Sequence, residues 1–182
     1  MLKLITPSLI INCLVALSLL AVAPVKAQND QYRLGAGDLI RITVFEEQDL
    51  SFDDLLVGDG GMISYPFLDE IKVEGKTTKQ LEQKIINGLL GDYLIDPKVT
   101  VSIVEYRNFY INGEVEKPGG FPFKPGLTIR KAISLAGGLT DRASTNKIFV
   151  VQDNDSEQKS AKVTLNSYVR PGDSITIKQS FF

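Results

Sequence analysis

Residues 111–143 read INGEVEKPGGFPFKPGLTIRKAISLAGGLTDRA. A short strand ends in Gly113-Glu114-Val115, the run Pro118-Gly119-Gly120 turns the chain, and Phe121 and Phe123 start back. Pro125-Gly126 turns it again, Thr128 is placed to cap a helix, and Ala136-Gly137-Gly138 stops that helix. Proline fixes φ and glycine takes a positive φ without steric cost, so these residues punctuate a chain physically rather than by habit. The helix, about 128–136, carries Ile129, Ala132, Ile133 and Ala136 on one face, the spacing of an element with a single buried side.

Outward from this stretch the pattern is mostly that of strands. Downstream, strands over 147–152 and 159–165 flank the polar turn Asp153-Asn154-Asp155-Ser156, and the last strand is Ser174–Lys178. Upstream, Gly35, Gly37 and Asp38 form a turn before Ile40, Ile42 and Val44, which alternate with Arg41 and Thr43 as in a half-buried strand. Five carboxylates between residues 46 and 54 (Glu46, Glu47, Asp49, Asp53, Asp54) predict a solvated loop. Gly58 to Gly61 is a turn cluster, with short strands expected around Met62–Tyr65 and Ile71–Val73. Thr77 and Gln80 have capping-box spacing, and Leu81, Ile85 and Leu89 then form an apolar stripe that Gly91 ends. Pro97 opens a strand over Lys98–Glu105 with Val99, Val101 and Ile103 on one face.

One internal echo stands out. Tyr32…Gly37-Asp38-Leu39-Ile40-Arg41-Ile42 is matched by Tyr168…Gly172-Asp173-Ser174-Ile175-Thr176-Ile177. Two strand entries that each need a glycine turn account for it.

The order of the opening stretch resembles the soluble-ligand-binding β-grasp module (SLBB) that recurs in outer-membrane polysaccharide export (OPX) proteins. Tyr32 through Val44, Gly61-Met62-Ile63-Ser64-Tyr65-Pro66, Val73-Glu74-Gly75-Lys76-Thr77-Thr78, Leu81 to Leu90 and Asp96-Pro97-Lys98-Val99 follow the order of that family's export domain. The family usually has Gly where this chain has Asp69, a departure that bears on the local turn. The resemblance implies an α+β fold: an export domain with a mixed sheet and one long helix, then a β-grasp domain with a closing strand. The expected boundaries are a signal peptide over 1–27, an export domain over 28–105 and an SLBB domain over 106–182. Gly35, Gly37, Asp38, Pro66 and Gly75 in the first domain, and Gly113, Pro118, Gly119, Gly126, Ala136, Gly137 and Gly138 in the second, are then shape-giving rather than catalytic positions.

The N-terminus reads as a targeting segment. Lys3 supplies a positive start, Leu9 to Ala23 is an apolar run, and Val25-Lys26-Ala27 offers small residues for cleavage after Ala27. That run has 15 residues, whereas a spanning helix needs roughly 20. The single cysteine, Cys13, precedes the end of the apolar run, so it is not placed to carry a lipid, and it leaves with the signal. After cleavage 155 residues remain (182 less 27), with a formal charge of −4, since 18 cations face 22 carboxylates. That mild acidity leaves no footprint for nucleic acid. Without cysteine or histidine the mature chain has no disulfide, no Cys/His zinc site, no Ser-His triad and no cysteine nucleophile. No cofactor is expected.

Other motifs fall short. Gly75-Lys76-Thr77 mimics the end of a phosphate loop, but Glu70 stands where the first glycine belongs. Carboxylates over 46–54 are not held across a sugar by sequence proximity alone, and they lack the spacing of a calcium loop. Tyr65, Tyr106 and Tyr110 are candidates for glycan contact, with β-sheet packing as the competing account, while Phe121 and Phe123 read as core.

The expected function is therefore non-catalytic. The resemblance implies a component passing capsule or exopolysaccharide outward, as a homo-oligomeric ring, with a separate outer-membrane β-barrel and an inner-membrane polymerisation or co-polymerase protein as partners. Only Lys178 to Phe182 follow Ile177, too few for a membrane helix, so a periplasmic protein associated with the outer membrane is expected. Phe181-Phe182 is either a docking tail or cover for the last strand. The alternative is a periplasmic module that binds or senses a small ligand or glycan. A sugar-cleaving enzyme ranks third, resting on carboxylates alone.

Overall fold

Strand β1 (Leu39–Val44) sets the frame of the first half, burying Ile40, Ile42 and Val44 and exposing Arg41 and Thr43. This structure is a computed structural model that describes residues 32–153 and 157–180. The N-terminal segment with Ala27 and Cys13, Asn154 to Ser156, and Phe181-Phe182 lie outside the described residues. β1 pairs antiparallel with β2 (Phe52–Leu56) on one side and with β5 (Val99–Glu105) on the other. The alternation of β1 fixes this register, because a slip of one residue would turn its three buried side chains to water.

The region 46–54 corrects the expected loop. Gln48–Leu50 makes a 3-10 turn and β2 begins at Phe52. Leu50 is buried and Phe52 packs edge-on against Tyr65 at 5.7 Å, so the apolar residues between the carboxylates decide the conformation. Asp53 then faces Arg41 across the sheet at 3.0 Å.

Strands β3 (Met62–Tyr65) and β4 (Asp69–Lys72) form a separate hairpin. Helix α1 (Thr78–Leu89) starts with the expected capping box: Gln80 N–H donates to Thr77 Oγ1 at 3.2 Å, and Thr77 N–H donates to Gln80 Oε1 at 2.9 Å. Its stripe of Leu81, Ile85 and Leu89 is fully buried. The helix lies against β5, and Glu82 Oε1 accepts from Val101 N–H at 2.9 Å, which satisfies a backbone donor on an edge strand.

The second half is a five-stranded sheet in the order β7-β6-β10-β8-β9. Its strands are β6 (Phe109–Gly113), β7 (Gly119–Phe121), β8 (Ala143–Val151), β9 (Ala161–Val163) and β10 (Ser174–Gln179). β8 is longer and β9 shorter than the expected 147–152 and 159–165. β6 and β10 pair in parallel and the remaining neighbours are antiparallel, so the last strand sits in the middle of the sheet. Helix α2 (Ile129–Leu135) covers it with Ile129, Ala132 and Ile133, and Ala136 just past its end is buried too. The helix ends in a Schellman motif: Gly138 N–H donates to the Ile133 carbonyl at 2.9 Å and Gly137 N–H to that of Ser134 at 3.2 Å, with Gly137 at φ +83°.

Two hydrophobic cores result. One runs from Leu34 to Val101 and contains Tyr65, Leu81 and Ile85; the other runs from Phe109 to Ile177 and contains Ile111, Ile133 and Ile148. No helix among the described residues is long and apolar enough to cross a membrane, which says nothing about strands.

Candidate functional site at the junction of the two modules

The two cores meet at a buried carboxylate. Asp38, at the entry to β1, is fully buried. The turn places Gly35 N–H 2.8 Å from its Oδ2. Tyr32 Oη donates to this carboxylate, lying 2.6 and 2.7 Å from its two oxygens. The second half supplies the rest: Arg107 N–H donates to Oδ1 at 2.9 Å and Arg107 Nη1 to Oδ2 at 3.1 Å. Arg107 also donates through Nη1 to Tyr32 Oη at 2.8 Å and through Nε to Asp153 at 3.0 Å. Its planar fork reaches all three partners at once, which a lysine ammonium cannot do. Burial and Asp38 push the Tyr32 hydroxyl well above the usual tyrosine range, so it stays a donor. Gly35 makes room, since a Cβ there would lie 2.6 Å from Arg107 Nη1.

Beside this lock opens a cleft of about 350 Å³. The end of β5 and the next residues give it Glu105, Tyr106 and Asn108; the loop after β7 gives it Pro122, Phe123 and Lys124. Tyr106 stands edge-on to Phe123 at 5.4 Å and to Tyr32 at 4.9 Å, so the rings run in a ladder from the cleft into the lock. Among the described residues, no group of three or more carboxylates is arranged to hold a metal ion.

The candidate positions read from sequence separate here. Gly35, Gly37 and Asp38 gather at the lock, with Tyr106 adjoining it. Pro66 begins the loop of the β3–β4 hairpin, and Gly75 sits between β4 and α1, its carbonyl accepting from Arg33 at 2.7 Å. Gly113 ends β6, Pro118 and Gly119 lie at the turn into β7, and Gly126 precedes α2. Ala136, Gly137 and Gly138 close that helix. Tyr110 is exposed, and its ring edge lies over Gly120.

Tyr65 is a correction. It is buried to 2% exposure, donates to the Leu50 carbonyl at 2.7 Å, and burial pushes its hydroxyl up to about 12. It anchors the first core and presents no surface to a glycan.

Sequence reasoning missed Arg107, and with it Glu105, Asn108 and Lys124. Their only signal is position: a cation and polar residues stand where one run of alternation ends and the next begins, without a linker.

The Gly-Asp echo repeats a structure but not an environment. Asp173 Oδ2 accepts from Arg170 N–H, three residues back, just as Asp38 accepts from Gly35. Counted from the aspartates, however, Tyr168 aligns with Arg33 rather than Tyr32, and Tyr168 is exposed. Asp173 Oδ1 is therefore buried with no partner among the described residues. Burial, opposed by the Arg170 N–H and charge, raises the Asp173 carboxyl to about 6.

Comparison with known proteins agrees with this two-part architecture. The profile of the polysaccharide biosynthesis/export protein family matches residues 26–104, and that of the SLBB domain matches residues 108–163. The exopolysaccharide production protein ExoF of Rhizobium meliloti (strain 1021) is 36% identical over an alignment of 159 residues, covering 78% of this chain and 37% of that protein. The EPS I polysaccharide export outer membrane protein EpsA of Ralstonia nicotianae (strain ATCC BAA-1114 / GMI1000) is 31% identical over 150 residues, covering 69% of this chain and 39% of that protein. Its namesake in Ralstonia solanacearum is 28% identical over 145 residues, with 66% and 38% covered. The chain thus spans under two-fifths of the length of these curated relatives. With an export-domain match followed by an SLBB match, and relatives named for exopolysaccharide production and export, the chain belongs to the family of polysaccharide export proteins.

Proposed function

We propose that the protein is a non-enzymatic component of a polysaccharide export machine, passing a capsule or exopolysaccharide outward across the cell envelope. The observation that carries the reading is the pairing itself: an export domain and an SLBB domain, joined through Arg107 and Asp38. Relatives named for exopolysaccharide production and export support it. The proposed route begins with a signal peptide over 1–27, cleaved after Ala27, and ends in the periplasm at the outer membrane. Residues 28–105 form the export domain and 106–182 the SLBB domain in this reading. The protein works there as a homo-oligomeric ring, a closed arrangement of heterologous contacts. An outer-membrane β-barrel and an inner-membrane polymerisation protein complete the path. Moving a hydrated polymer through a ring takes weak repeated contacts and no bond chemistry.

Deletion of the gene tests this reading. Polymer should still be made but remain inside the cell wall, measured as intracellular against surface carbohydrate. Unchanged surface polymer in the deletion strain would sink it.

A further inference from the structure

We infer that the cleft bounded by Tyr106 and Phe123 is a binding site for a neutral hexopyranose unit of a glycan chain. The inference rests on the export reading for the source of the sugar, and on geometry for the site. Tyr106 and Phe123 meet at 75°, one ring edge against the other, and make an apolar corner. The apolar C–H face of a pyranose fits such a corner, and its hydroxyls then point to the rim. The rim holds a carboxylate acceptor in Glu105, an amide in Asn108 and an ammonium donor in Lys124. All three side chains are exposed, and none makes a hydrogen bond or ion pair among the described residues. Core packing explains the rings but not this convergence of three unused polar groups around them.

Charge narrows the ligand class. Glu105 and Lys124 cancel, so the cleft has no excess cation to select an acidic sugar and carries a carboxylate that repels one. Donors and acceptors of both kinds suit the vicinal hydroxyls of a neutral ring. The wall is also preorganised: Pro122 and Pro125 restrict the loop carrying Phe123 and Lys124, and Tyr32 buttresses Tyr106 from behind. At about 350 Å³ and open to solvent, the cleft lies at the small end of ligand pockets. Weak binding follows, as a site on a conduit requires: favourable enough to engage a chain and loose enough to release it.

The test is titration of the purified full-length protein with gluco-, galacto- and manno-configured neutral hexasaccharides, and with an oligouronate hexamer as contrast. Chemical shifts and calorimetry are the readouts. At least one neutral hexamer should bind with Kd on the order of 1 mM and shift the resonances of Tyr106, Asn108 and Lys124. Tyr106→Ala should weaken it about tenfold. Because Tyr106 also touches Tyr32, the rim variant Asn108→Ala/Lys124→Ala is the cleaner probe, and should weaken binding about threefold or more with an unchanged melting temperature. No binding by any neutral hexamer would overturn the site, as would equal binding by every variant or binding of the oligouronate alone. Expressing the rim variant in the deletion strain separates the two readings. Lost binding with restored surface polymer keeps both the site and the export reading but removes the site from the export path. Intact binding by a protein whose deletion leaves surface polymer unchanged overturns the export reading alone.

Discussion

Asp38 and Asp173 occupy equivalent places in two strand entries, yet their surroundings give them different consequences. Asp38 accepts hydrogen bonds from a tyrosine, an arginine and two backbone N–H groups, whereas Asp173 has one backbone donor. The Asp173 carboxyl is raised from 3.8 to about 6, chiefly by burial, with Asp153 reinforcing the rise and Arg170 and Arg107 opposing it. The folded protein therefore holds this proton more tightly than the unfolded chain does. The stability it contributes is complete below about pH 4 and is lost as pH rises through about 6, a change of about 3 kcal/mol. Urea denaturation at pH 4, 5, 6 and 7 should show that decline, and Asp173→Asn should flatten it. A variant with the wild-type slope would show that another group titrates.

At the scale of elements, Gly113 has the tightest constraint. It ends β6 at φ +88°, opposite Ile177 in the parallel pairing, and a Cβ there would lie 2.0 Å from the Ile177 carbonyl oxygen. Gly126 has a similar φ of +79° but nothing within 4 Å of its missing Cβ. Gly113→Ala should destabilise by about 3 kcal/mol or more, since strain and overlap combine, while Gly126→Ala should cost about 1–2 kcal/mol from backbone strain alone. Urea denaturation followed by circular dichroism checks the pair; equal losses would mean that the β6–β10 contact yields easily. The β3–β4 hairpin shows the opposite accommodation. Asp69 takes φ +54° and Phe67 φ +65°, so the chain adopts left-handed turn geometry without the glycine that the family resemblance leads us to expect at Asp69. Aspartate tolerates that region better than most residues, so the departure changes the local strain and leaves the turn in place.

At the scale of the whole molecule, Arg107 links the two cores. The Arg107 side chain is 15% exposed and touches Tyr32 and Asp38 in the first half and Asp153 in the second. The pair with the half-exposed Asp153 contributes little, because solvent screens it; the pair with fully buried Asp38 contributes more. Arg107→Ala should destabilise by about 2–4 kcal/mol and split a single thermal transition into two, as seen by calorimetry. Arg107→Lys should not restore the single transition. One sharp transition in both variants would place the coupling of the modules elsewhere.

Local chemistry was fully legible in the residue order. The capping box at Thr77, the buried stripe of α1, the alternation of β1 and the glycine stop of α2 depend on neighbours a few residues away, and short-range sterics and hydrogen bonds settle them. The acidic stretch over 46–54 was not legible, because its carboxylates say only that one face meets water, and β1 decides that the other face becomes a strand. The lock and cleft lay beyond reach for a related reason. Asp38 and Arg107 are 69 positions apart, so only the closing of the two halves around the junction brings them within bonding distance, while Tyr106 and Phe123, in the loops flanking β6 and β7, meet because those strands pair as a hairpin. Composition fixed which groups exist, and the long-range fold decided which of them are spent on each other and which remain for a ligand.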